Sequence, residues 1–390
     1  MSVWDDIVGQ ETAVDALREA AIRARDIVEG HGGDGARGMT HSWLITGPPG
    51  SGRSTAARAF AAALQCTGDE VGCGECAGCR TTLSKSNADV NDLETQKIII
   101  SIDEVRGLIH AAQTSPTQGR WRVILVEDAD RMVERTSNVL LKAIEEPPER
   151  TVWLLCAPSP DDLITTIRSR CRHVGLRIPP VGDVAELLVR RWGIAPDVAA
   201  ESARLAQSHI GRARGLAENP TLREQRRTII EHPIRSTSVG EAVLAAENLV
   251  ETAKEQAKAD TEERNAQEKA YLLRTLGIEE GEKINPALRS QIKQLEDEQK
   301  RRATRAERDF LDRALLDLLA FYRDVMAVQL DTGAAIINVG LEDLIQSTAQ
   351  RTTTSDTMRK TRAIETARER LRANVAPVLA IEAMAVTLVK

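Results

Sequence analysis

Short apolar runs alternate with amphipathic stretches through the first 178 residues, and that alternation predicts an α/β domain built on a parallel sheet. Residues 42–46 read as a buried strand running into a glycine-rich turn. Further strands are expected over 122–126 and 151–155, with weaker ones over 90–94 and 172–176. Helical spacing fills 11–28, 53–65, 103–113 and 137–145. Pro179-Pro180 then punctuates the chain, because proline pushes its predecessor out of helix.

Beyond that point every segment reads as helix. Val184, Leu187 and Leu188 share one face, a second segment covers 197–217 and ends near Pro220, and His232-Pro233 marks another boundary. The predicted organisation is an αβ domain over 1–178, a small helical domain over 179–233 and an all-α domain over 234–390. Within the last, 27 of the 60 residues from 251 to 310 are Asp, Glu, Lys or Arg, which predicts a solvated helical face or a protruding helical pair. Gly281 and Pro286 would form its turn. Phe310, Leu311, Ala314, Leu315, Leu318, Leu319, Tyr322, Val325 and Met326 follow at helical spacing, as a core stripe wide enough to serve an intersubunit seam.

Composition narrows the function. With 42% hydrophobic and 28% charged residues the chain is of the soluble globular type, and no apolar run reaches the 18 residues of a membrane span. The opening Met1-Ser2-Val3-Trp4-Asp5-Asp6 is acidic and lacks an apolar core, so a cytoplasmic location is expected. A net charge of -6 confines any nucleic-acid contact to a local patch or to partner chains, and 3% aromatics argues against a base-stacking platform.

Three segments carry chemistry. Gly47-Pro48-Pro49-Gly50-Ser51-Gly52-Arg53-Ser54-Thr55 follows a predicted strand and opens a predicted helix, the context in which backbone N–H groups and a helix N-terminus cradle phosphate. Arg53 stands where lysine usually lies between the outer phosphates, and its planar fork is a poor copy of that point charge. The predicted strand over 122–126 ends in Glu127-Asp128, the reverse of the usual Asp-Glu pair that holds Mg²⁺ and orients water. Two such departures in one reaction point to weak or absent hydrolysis. Cys66, Cys73, Cys76 and Cys79 supply four thiolates, and glycines 72, 74 and 78 free the backbone to wrap a tetrahedral ion. Structural Zn²⁺ is the expected occupant, the alternatives being unpaired cysteines or a redox pair.

Taken together, Trp4-Asp5-Asp6-Ile7-Val8-Gly9-Gln10, the P-loop, the four cysteines, the acidic strand end, Glu145-Glu146-Pro147-Pro148 and Ser169-Arg170-Cys171 resemble AAA+ clamp-loader subunits across residues 4–217. Asn374-Val375-Ala376-Pro377-Val378-Leu379-Ala380-Ile381-Glu382 is similar to a collar helix of that family. The resemblance implies an AAA+ αβ domain, a helical lid and a helical collar. It implies that Arg170 is an arginine finger for a neighbouring subunit's ATP, that Arg214 is a lid arginine, and that Gly47, Gly50, Gly52, Arg53, Ser54, Thr55, Glu127 and Asp128 form the nucleotide site. The polar sensor position reads Cys156-Ala157-Pro158-Ser159, where only Ser159 could serve.

The partners implied are motor and delta subunits in a heteropentamer, the sliding clamp, and primed-template DNA reached through the complex, with no membrane. Two readings follow: a non-hydrolysing stator, or a genuine AAA+ motor of the loader or of a branch-migration system. Arg53 and the reversed acidic pair tell against the second. ATP and Mg²⁺ in the chain's own site are doubtful on the same ground.

Overall fold

The computed structural model describes residues 2–30, 39–95, 99–117, 119–276 and 286–389. These form two compact units, Met1–Glu218 and Asn219–Lys390. In the first, helix α1 (Glu11–Val28) leads to strand β1 (Ser42–Thr46), then α2 (Arg53–Leu64), α3 (Ala77–Leu83), β2 (Val90–Leu93), α4 (Ile102–Ala112), β3 (Arg122–Val126), α5 (Glu134–Glu145), β4 (Thr151–Ala157), a single turn α6 (Thr165–Arg168) and β5 (Arg172–Gly175). Helices α7 (Val181–Trp192), α8 (Pro196–Leu205) and α9 (Ile210–Glu218) complete it.

The five strands among the described residues are parallel, in the order β2-β3-β4-β1-β5. The three central strands are buried at every position, which is why they read as continuous apolar runs. Successive side chains divide between two cores. Trp43, Ile45, Val123, Leu125, Val152 and Leu154 join α1 and α2 on one face. Leu44, Ile124, Val126, Trp153 and Leu155 join α4 and α5 on the other.

The expected strands and helices are present, with β4 two residues longer than its apolar run suggested. The helical segment expected over 197–217 is two helices. They break at Gln207 and Ser208, which hold φ of +51° and +63°. Proline also behaves differently at 233 than expected. Helix α10 (Pro220–Arg235) carries Pro233 in its last turn and ends only after it, so His232-Pro233 is not a break.

Among the described residues the regular elements of the second unit are all helices: α10, α11 (Val239–Thr275), α12 (Pro286–Gln329), α13 (Glu342–Arg351), α14 (Thr354–Arg372) and α15 (Pro377–Val389). The described charged residues between 251 and 310 lie on α11 and α12, which pack as a helical pair. Its turn, expected at Gly281, lies outside the described residues. Ala253, Ala257, Thr261 and Ile292 are buried within this pair. Lys269 meets Glu296 at 3.1 Å and Arg302 meets Glu268 at 3.0 Å. The predicted stripe on α12 is core: Leu311, Leu315, Leu318, Tyr322 and Val325 are buried, with Phe310 and Leu319 packed at the margin. Among the described residues no helix is long and apolar enough to cross a membrane.

One polar network is sealed inside the second unit. Arg226 of α10 pairs with Asp317 of α12 at 3.0 Å, both 6% exposed, and donates to Asn338 Oδ1 at 2.7 Å. Asp324 in turn accepts from the backbone N–H of Asn338 at 2.9 Å. A buried charge stripped of its partner is costly. Arg226→Ala is therefore expected to lower the unfolding free energy by about 3–5 kcal/mol, measured by denaturant titration. A loss below about 1 kcal/mol, the scale of a surface pair, would show that the network is not buried in solution.

Candidate functional sites

The P-loop runs from the end of β1 into α2, where Gly52 caps the helix in the left-handed region with φ of +88°. Gly50 holds φ of +87°, and a Cβ there would meet His209 Cβ at 2.7 Å. The segment between α8 and α9 therefore rests directly on the loop. From the other side Gln10 donates to the Arg177 carbonyl at 2.5 Å and to the Ser51 carbonyl at 3.4 Å, and accepts from Arg177 N–H at 3.1 Å. Gln10 thus ties the loop to the chain leaving β5. The hydroxyl of Ser51 is buried and finds no partner among the described residues, while Ser54 is half-buried and Thr55 exposed on the first turn of α2.

The charged groups around this loop are turned toward one another. Arg53 donates through Nη1 to the Gly47 carbonyl, so its head folds onto the loop's own backbone. Arg58, one and a half turns further along α2, bridges two strand ends: Nη1 pairs with Asp92 of β2 and Nη2 with Glu127 beyond β3 at 2.7 Å. Asp128 pairs with Arg131 at 3.2 Å. Burial, and then the neighbouring Asp128 charge, push the Asp130 carboxyl up from its ordinary value. Both acids at the β3 end thus already hold an arginine, an arrangement that does not fit a divalent cation there. Cys156, near the end of β4, is fully buried and its thiol is driven upward by burial, with Glu127 adding to the effect. Ser159 accepts from Asp161 N–H at 3.2 Å and so caps the following turn.

Arg170 lies between α6 and β5, with its side chain 39% exposed and paired to Glu145 at the end of α5. Arg214 on α9 stacks 5.0 Å from the Trp192 ring and pairs with Glu218 at 2.8 Å, so these contacts lie on α7 and α9. Sequence reading missed Gln10 as a loop clamp, His209, Arg58 and Asp92. Arg58 left a trace, being the one cation between Ala56 and Leu64 in a helix otherwise apolar there.

The second site is the cysteine cluster. The Sγ atoms of Cys66, Cys73, Cys76 and Cys79 all lie within 4.8 Å of one another. Cys66 and Cys73 are 3.7 Å apart and Cys66 and Cys76 3.9 Å. A tetrahedral ion with thiolate bonds of about 2.3 Å needs edges of about 3.8 Å, so the set fits a metal ion. The six cysteines are free thiols. Although burial opposes it, N–H donation from Thr67 and Cys79 draws the Cys76 thiol down to about 5. Burial pushes Cys79 the other way, a penalty that a bound cation would offset.

The N-terminal segment grips this module. Val3 N–H donates to the Gly72 carbonyl at 2.9 Å and Trp4 Nε1 to the Val71 carbonyl at 3.3 Å. Arg25 of α1 donates to the carbonyls of Asp69 and Gly68, each at 2.8 Å.

These features have relatives. Residues 36–180 match the family described as DNA polymerase III, delta subunit. The chain is 33% identical over 196 residues to the delta' subunit of DNA polymerase III from Pseudomonas aeruginosa, covering 49% of this chain and 60% of that one. The family match falls within the first unit, and the chain is similar in sequence to subunits of DNA polymerase III. A second relative, the tau subunit of DNA polymerase III from Bacillus subtilis, is 29% identical over 172 residues, 44% of this chain and 28% of that one. Less than two thirds of either relative's length is thus spanned. A solved DNA polymerase III gamma subunit-related protein from Thermotoga maritima aligns over 90% of this chain and 94% of its own. Its identity is 16% and its TM-score 0.37.

The cysteine geometry predicts about one equivalent of bound metal per chain in elemental analysis. Chelation, or Cys73→Ser, should lower the melting temperature of the protein. Metal-free protein that melts unchanged would overturn the assignment.

Proposed function

We propose that this chain is the delta' subunit of a DNA polymerase III clamp loader, a stator that hydrolyses little or no ATP itself and lends Arg170 to a neighbouring subunit's nucleotide. The observation that carries the reading is the commitment of both acids at the β3 end to internal arginines, Glu127 to Arg58 and Asp128 to Arg131. A Mg²⁺ ion would have to displace a guanidinium from each. With Arg53 turned onto Gly47, the loop also lacks the free point charge that phosphoryl transfer uses.

An exposed arginine between α6 and β5 then has a use in trans. Its planar fork can stabilise charge spread over a phosphate that this chain does not bind. In this reading the first unit divides near residue 178 into an αβ domain and a lid that carries Arg214, the chain from residue 234 onward is the collar, and Zn²⁺ occupies the closed four-thiolate site. The partners are motor and delta subunits in a pentamer, the sliding clamp, and primed-template DNA through the complex, in the cytoplasm.

Phosphate release is the test. The purified chain is expected to turn over ATP negligibly, with or without primed DNA. Several turnovers per second, a common enzyme rate, would make it a motor instead. In a loader reconstituted with motor subunits and clamp, Arg170→Ala should leave assembly intact while reducing DNA-stimulated hydrolysis and clamp loading. Arg170→Lys should rescue poorly, because a point charge cannot copy the fork. Wild-type behaviour of both variants would reduce the chain to a passive scaffold.

A further inference from the structure

Arg170 is held by more than one group of its own chain. Nε donates to Glu145 Oε1, while Nη1 donates to the Thr166 carbonyl at 2.9 Å and to Ser169 Oγ at 3.2 Å. Nη2 makes no hydrogen bond among the described residues. The holding groups are themselves anchored. Glu145 is the last residue of α5, whose Leu140 and Ile144 are buried, and Thr166 precedes Ile167, which is fully buried.

Stability does not account for this arrangement. The two side chains are 39% and 42% exposed, and a pair that open to solvent contributes little. What the contacts do is order the side chain. A free arginine samples many rotamers, and fixing it against a phosphate at each encounter costs rotamer entropy. Glu145 and the Thr166 carbonyl meet much of that cost before any partner arrives. The two groups bind Nε and Nη1 and leave Nη2 to be presented outward.

We infer that Glu145 is a positioning residue for Arg170: its carboxylate, fixed at the end of α5, holds the guanidinium in the orientation that a phosphate of the neighbouring subunit meets. The inference rests on reading Arg170 as a finger in trans. The carboxylate also carries a negative charge that opposes an approaching phosphate, so its benefit is geometric, not electrostatic. Glutamine keeps an acceptor oxygen at the same reach, whereas alanine keeps none.

The test uses the reconstituted loader with clamp and primed DNA, reading kcat and KM for ATP. Four variants are compared: Glu145→Ala, Glu145→Gln, Arg170→Ala and the double Glu145→Ala/Arg170→Ala. Thermal unfolding of each checks the fold. Expected is a fall in kcat for Glu145→Ala that is at least half, on a logarithmic scale, of the fall for Arg170→Ala, with KM unchanged. Glu145→Gln should retain most of the wild-type kcat, and the double variant should match Arg170→Ala alone, since a group that acts through another adds nothing once that other is gone.

A Glu145→Ala loader that matches wild type while Arg170→Ala falls would overturn the positioning role and leave the finger standing. Losses that add in the double variant would overturn it too, by showing that Glu145 acts elsewhere. A faster Glu145→Gln loader would mean that the charge matters more than the hold, which also overturns it. If Arg170→Ala itself has no effect, the finger reading fails first.

Discussion

A parallel sheet covered on both faces leaves its strand ends as the place where polar groups can gather. The three central strands here are buried at every residue, and their side chains supply two apolar cores with nothing to spare for chemistry. The consequence reaches the whole surroundings of the P-loop. The P-loop leaves β1, the acidic pair leaves β3, Cys156 lies one residue from the end of β4, and Gln10 is bound to the carbonyl of Arg177 just past β5. In a parallel sheet these ends lie along one edge, so residues far apart in sequence become neighbours without any dedicated contact to bring them together.

What gathers at that edge is a self-satisfied set of charges. Arg58 takes two carboxylates, Arg131 takes a third, and Arg53 takes a backbone carbonyl. In a low-dielectric setting, arginines can neutralise acids that would otherwise demand an external cation. The sheet edge can therefore hold its shape through internal ion pairs alone. Arg170 sits outside this set, on the polar surface, where Glu145, the Thr166 carbonyl and Ser169 Oγ hold it.

Much of this was legible in the residues themselves. Continuous apolar runs give both the existence and the parallel character of the central strands, and glycine spacing places the P-loop and the metal module. The cysteine cluster closes as its spacing predicts because Gly72 and Gly74 hold φ of +84° and +78°. What could not be read were side-chain choices among several partners. Nothing in the order Glu127-Asp128 says that Arg58 will reach across to the first and Arg131 to the second. Pro233 misled for a physical reason: within the last turn of a helix a missing N–H and the ring's clash with the preceding turn are tolerated more easily than in the interior. Gln10 and His209 escaped because clamping is a matter of approach distance, which periodicity does not encode.

The paired helices α11 and α12 have a mechanical corollary. Intrahelical pairs such as Arg264 with Glu268 at 2.9 Å stiffen α11 beyond the reach of the core. At about 1.5 Å per residue, Thr275 stands roughly 38 Å along the axis from the buried Val250. Such a rod is a lever. A rotation of about 5° at the Val250 end becomes a sweep of roughly 3 Å at the other. An angular change too small to disturb the packing of Leu249 and Val250 is thereby magnified into a displacement as long as a hydrogen bond.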